Sequence, residues 1–173
     1  YGPTEQKQYI DKVTKFFKEI EPTISKFNLQ ITHRDHPRAN TSIEIPYLDF
    51  SYVSRSSKRS LIDDLQSSVL HITFNSTSAI DAASLGVPTI FLELDNPVSP
   101  ELPDLASKDI FLRQFQYPHS ICFVSSHSEL EIAIEEILKN LNTFSDEVLK
   151  WHDSLIEPIT EDSISSALSL PGD

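Results

Sequence analysis

The chain has 173 residues, 39% of them hydrophobic and 23% charged, enough for one domain with a core of its own. Fourteen basic against 26 acidic residues give a formal net charge of −12, which opposes broad binding to a polyanion and argues against nucleic acid as a partner. No apolar run approaches the roughly 20 residues of a membrane helix, so no transmembrane segment is expected, and a single cysteine excludes an intrachain disulfide.

The first residues, YGPT, read as a loop, and their position in a chain without methionine suggests an excised domain or fragment. Tyr9, Val13, Phe16 and Ile20 then recur at helical spacing, with Pro22 expected to end or kink the helix. LQITH, residues 29–33, is a short strand candidate running into the polar turn RDHPRAN. The piece IEIPYLDFSYV suggests one short strand with Pro46 at its edge. SLIDDLQSS is a short helix with Ser60 as candidate cap, its Asp63 and Asp64 read as a solvated face, and VLHITF is a stronger strand.

Ser78 and Asp81 form an S-x-x-D capping pattern before a helix over residues 79–85, which Gly86 and Pro88 stop. TIFLEL is the next strand, and residues 95–119 form a long excursion with a helix near 104–114. ICFV is a further strand, with Cys122 as a buried structural thiol. Ser128 and Glu131 make a second capping pattern, Leu130, Ile134, Ile137, Leu138 and Leu141 a helical stripe, and Ser145 caps a helix through Leu155.

This alternation predicts an α/β fold, a Rossmann-like parallel sheet with helices on both faces, over residues 1–157, with 158–173 a loosely structured tail. In such a sheet the ligand crevice lies beyond the carboxyl ends of the strands. Two polar clusters follow candidate strands: HRDHPR, and the row Asn75, Ser76, Thr77 and Ser78. Hydroxyls there would receive a phosphate, and His36 and Arg38 would supply balancing positive charge, with Pro37 shaping the turn. Ser, Thr and Asn are also ordinary helix caps, so one member of the row is expected to cap the helix whatever else it does. Glu93, Asp95 and Asn96, at the next strand end, are turn formers within reach of a ligand ribose or base. His33 and His36 have no third ligand at useful spacing, so no metal is expected. Neither a G-x-G-x-x-G, a Walker sequence nor a G-x-S-x-G elbow occurs, which disfavours dinucleotide dehydrogenases, P-loop ATPases and α/β-hydrolases.

HPR after a strand, together with SLIDDLQSSVLHITFNSTSAIDAASLGVPTIFLEL, resembles the carboxyl-terminal donor-binding half of GT-B glycosyltransferases. More narrowly it resembles bacterial sialyltransferases and polysialyltransferases, with His36-Pro37 in the place of their HP motif and Ser76-Thr77 in that of their S-S/T motif. The resemblance covers residues 29–94. It implies that His36, Ser76 and Thr77 bind the phosphate and cytidine of a CMP-sugar, with His36 stabilising the leaving phosphate. Asp81 stands where many GT-B enzymes have a glutamate that contacts donor ribose.

The acidic D/E-D/E-G motif that carries the general base in the family's amino-terminal domain is absent, and the donor domain's usual first strand would precede Tyr1. The expectation is therefore a donor-binding part that lacks transfer activity alone and needs the amino-terminal acceptor domain of the same enzyme. The whole enzyme would act on a capsule or lipooligosaccharide glycan acceptor with a nucleotide sugar, CMP-linked, and no further cofactor. It would be cytoplasmic, peripheral at the inner membrane. The alternatives are a UDP-sugar transferase, a UDP-sugar epimerase, a polyol-phosphate polymerase, and a binding module without chemistry.

Overall fold

The computed structural model describes residues 3–34, 46–56, 58–73, 76–93 and 116–155. In chain order these form α1 (Pro3–Lys26), β1 (Ile31–His33), a 3-10 turn (Pro46–Asp49), β2 (Val53–Arg55), α2 (Leu61–Gln66), β3 (His71–Thr73), α3 (Ser78–Ser84), β4 (Thr89–Leu92), β5 (Ile121–Val124), α4 (His127–Lys139) and α5 (Leu141–Leu155). No described helix is long and apolar enough to cross a membrane. The expected helix near 104–114 and the tail from residue 158 lie outside the described residues.

Among the described residues all strand pairings are parallel, as β1-β2 and as β3-β4-β5. The fold is α/β with helices on both faces of the larger sheet, compatible with a Rossmann-like architecture. Among the described residues the strands divide into a hydrogen-bonded pair and a triplet.

Successive side chains of a strand point to opposite faces, and β4 shows what that requires here. Ile90 and Leu92 join a core with Phe16, Ile20 and Ile24 of α1 and Leu130, Ile134 and Ile137 of α4. Phe91 instead packs with Ala79 and Ala83 of α3 and with Val148 and Trp151 of α5. Every residue of β4 is buried, so both of its faces need a helical cover. Each fully buried side chain of this size contributes about 1.5–3 kcal/mol before entropy is counted.

α1 runs through Pro22 instead of ending there. Pro22 and Lys18 are both exposed, so the carbonyl deprived of its amide partner lies on the solvent side, where water serves it. The helix stops at Asn28, whose φ of 51° is left-handed, with the Leu29 amide donating to the Ile24 carbonyl at 2.9 Å. The piece after residue 45 holds a 3-10 turn as well as β2, because Tyr47 turns inward to stack on Phe17 at 4.5 Å.

The Ser60 cap forms, as a full capping box with Asp63. The two predicted capping patterns, Ser78 with Asp81 and Ser128 with Glu131, do not. Ser78 is already helical, and its hydroxyl bonds His71 and Ser76 in place of a cap. For α4 the cap is Ser126, two residues earlier than expected: its hydroxyl accepts the Glu129 amide at 3.3 Å, while the Glu129 carboxylate accepts the amide of Ser125, the residue before the cap, at 2.7 Å. Glu131 is left to pair with Lys26 on α1 at 2.7 Å. Ser145 caps nothing, since α5 begins at Leu141.

Two further expectations change. Asp64 is buried rather than solvated, and holds Ser56 at 2.5 Å and Arg34 at 2.7 Å. Cys122 is half-buried rather than buried; the loss of water around the thiol, with the Glu136 charge adding to it, pushes it up to about 11, which keeps it protonated.

Gly86 ends α3 with φ +71°, and a Cβ there would meet Ser145 Oγ at 2.6 Å and Leu149 Cδ1 at 3.2 Å on α5. Gly86→Ala therefore combines left-handed strain with a steric conflict and should cost about 2–3 kcal/mol in urea unfolding. Adding Ser145→Ala should recover part of that loss and leave about 1 kcal/mol of backbone strain. A single variant as stable as the wild type would show that α3 and α5 do not approach this closely.

Candidate functional site

The site begins at β3, whose odd positions face the α3–α5 side of the sheet. His71 lies opposite Thr89 of β4 in the parallel register, and its Nδ1 is 3.3 Å from Thr89 Oγ1. On the other side of the ring, Nε2 is 3.3 Å from Ser78 Oγ, the first residue of α3. Ser78 Oγ donates to Ser76 Oγ at 2.9 Å, and the same Ser76 oxygen accepts the Ser78 amide at 3.2 Å. A chain of polar groups thus leads from the fully buried Thr89 to the loop beyond the carboxyl end of β3.

Its proton order follows from these directions. Burial pulls His71 down to about 4, so the ring is neutral at pH 7 and carries one proton. With the Ser78 hydrogen directed at Ser76, Nε2 carries that proton and gives it to Ser78 Oγ, and Thr89 donates to Nδ1. Ser76 is then left with a hydroxyl hydrogen to give outward.

Of the residues selected from sequence, Ser76 and Ser78 are brought together. Thr77 lies between them, exposed, at the N-cap position of α3, and caps nothing. Its hydroxyl makes no hydrogen bond among the described residues, and the capping expected of the row falls to Ser76 alone. Asp81 is exposed in the first turn of α3, with no capping bond to Ser78. Glu93 is exposed just past β4, its amide held by the Val124 carbonyl at 2.8 Å. His36, Pro37, Arg38 and Asn75 lie outside the described residues, as do Asp95 and Asn96.

Sequence reasoning missed His71. Its signal was there in retrospect: in VLHITF it holds an alternating position that faces the helices, where a polar ring must find partners. Among the described residues no group of three or more His, Cys, Asp or Glu could hold a metal ion. Chemically, the arrangement offers oriented hydroxyls and a neutral imidazole, suited to donating hydrogen bonds to a polar or anionic ligand.

A buried neutral histidine makes stability depend on pH. Because its folded value lies below the ordinary 6.5, the unfolded chain binds the extra proton first as pH falls, so the native state loses stability between about 6.5 and 4. That loss should total on the order of 3 kcal/mol in urea titrations across the window. His71→Gln should lower stability at pH 7 and flatten the slope; an unchanged slope would place the proton uptake elsewhere. No protein-family model matches the chain, and neither a curated protein nor a solved structure is significantly similar to it.

Proposed function

We propose that this chain is the donor-binding part of a glycosyltransferase, taking a nucleotide sugar, with CMP-linked sialic acid as the donor that the HP and S-T motifs favour. The observation that carries the reading is Thr77. It is an exposed hydroxyl without a partner among the described residues, just beyond the carboxyl end of a strand in a parallel sheet, flanked by Ser78, which the His71 ring contacts, and by Ser76, which Ser78 contacts.

In the whole enzyme the reaction would be an inverting displacement at the anomeric carbon. A base from a second domain takes the acceptor hydroxyl proton as the new glycosidic bond forms and the bond to phosphate breaks. The electron pair leaves with the phosphate, whose charge the Ser76 and Thr77 hydroxyls and His36 stabilise. Asp81 and Glu93 would contact the nucleoside. The acceptor would be a capsule or lipooligosaccharide glycan.

A second reading, a binding module without chemistry, draws on the same network: Ser78, His71 and Thr89 are satisfied without any ligand, and Ser76 already serves as the cap of α3.

Calorimetric titration with CMP and UDP separates the two. Saturable binding is expected, tighter for CMP, and weakened about tenfold in Thr77→Val, the loss of one hydrogen bond to a charged group. If neither nucleotide binds the folded chain at millimolar concentration, the donor-binding reading fails and the module reading stands.

A further inference from the structure

A second polar cluster lies at the ends of the other sheet and shares no residue with the hydroxyl row. Arg34 directly follows β1, Ser56 directly follows β2, and Arg59 and Asp64 flank the start of α2 and its interior. Arg34 Nη1 donates to Asp64 Oδ2 at 2.7 Å and to the Arg59 carbonyl at 2.8 Å. Arg59 Nε lies 3.6 Å from the other oxygen, Asp64 Oδ1, and its Nη2 donates to the Asp63 carbonyl at 2.7 Å. Two guanidinium groups are therefore gathered on the two oxygens of a single buried carboxylate.

Two carboxylates face the two guanidinium groups: the hydrogen bonds of Ser60 and Ser56, and then the charges of Arg34 and Arg59, hold Asp63 and Asp64 below the ordinary carboxylate value. The surplus is one of donors, because the Asp63 carboxylate is engaged by the Ser60 amide at 3.1 Å and the Ser60 hydroxyl at 2.8 Å, which leaves Asp64 as the one side chain that both arginines reach. The arginine side chains stay 37% and 55% exposed, against 9% for Asp64. Among the described residues, Nε and Nη2 of Arg34 and Nη1 of Arg59 meet no acceptor.

We propose that Arg34 and Arg59, held in place by Asp64, form a binding site for a phosphoryl oxyanion at the carboxyl ends of β1 and β2. The side chains are anchored before the ligand arrives, which removes much of the entropy cost of ordering two long cations around an anion. A tetrahedral phosphoryl group presents oxygens in several directions and can bridge two guanidiniums anchored independently, whereas a planar carboxylate matches one guanidinium fork. In a chain of net charge −12, only such a local surplus of donors can retain an anion. The site does not depend on the donor-binding reading.

The test is a titration of the chain with inorganic phosphate and pyrophosphate at low ionic strength, followed by NMR of the arginine Nε–Hε signals, with acetate and chloride as separate arms. Saturable shifts at Arg34 and Arg59 are expected with the phosphoryl anions. Arg59→Gln should weaken that binding about tenfold while the chain stays folded, and Thr77→Val should change it less than twofold. Shifts that rise linearly with anion, that acetate or chloride reproduces at equal concentration, or that survive Arg59→Gln with the same affinity would overturn the proposal. Phosphate binding that persists while CMP fails to bind would sink the donor-binding reading alone.

Discussion

The burial of β4 on both faces is the constraint on which the rest of the molecule depends. A four-residue strand with no exposed side chain cannot exist at the edge of a bare sheet, so β3 and β5 must flank it and helices must cover it above and below. The parallel direction follows from the connections, since each strand reaches the next through a helical crossover or a longer excursion. Once the helices occupy both faces, only the strand ends are left for polar chemistry. The hydroxyl row beyond β3 and the arginines beyond β1 and β2 both lie there.

Several polar groups carried into this core are met by partners on other elements, although the Thr14 and Ser120 hydroxyls and Asp64 Oδ1 find no hydrogen bond among the described residues. Thr89 cannot be reached by water and is met by His71. Thr23, buried on α1, lies 3.2 Å from His127 Nε2 at the start of α4. The Ser120 amide is taken by Glu147, and the Trp151 indole gives its hydrogen to the Gln116 carbonyl, so α5 holds the incoming end of β5. Each pair locks a register that apolar packing alone would leave degenerate, because a shifted helix would leave a buried group without its partner.

The regular part of this architecture was legible in sequence wherever a period repeated over several turns or an apolar run was bounded by turn residues. The stripe through Leu130, Ile134 and Ile137, the strands TIFLEL and ICFV, and the Ser60 cap are all of that kind. What was not legible turns on competition for a single side chain. Ser78 and Asp81 match a capping box, but the His71 ring, 7 positions earlier in the chain, takes the Ser78 hydroxyl through the tertiary fold. Ser128 and Glu131 match one too, yet Glu131 is drawn to Lys26 on α1, and the cap is Ser126, which accepts the Glu129 amide. Asp63 and Asp64 look equivalent in sequence; a rotation of one helical step sends the first to the cap and buries the second against Arg34. Local patterns propose partners, and long-range geometry chooses among them.

α2 shows how far that choice reaches. Six residues are too few to make a stable helix in water, so α2 persists only because its ends and faces are held by others. The Ser60 box closes its start. Leu65, buried, packs with Ala82 and Val87 at the end of α3, while the adjacent Asp64 reaches the other way to Arg34 and Ser56 beyond β1 and β2. Consecutive residues on a helix are about 100° apart, which lets a single short turn grip both regions at once. The segment that orients the arginines is thus packed against the helix that carries Ser78. Loosening Leu65 would disturb both polar clusters, although they share no side chain.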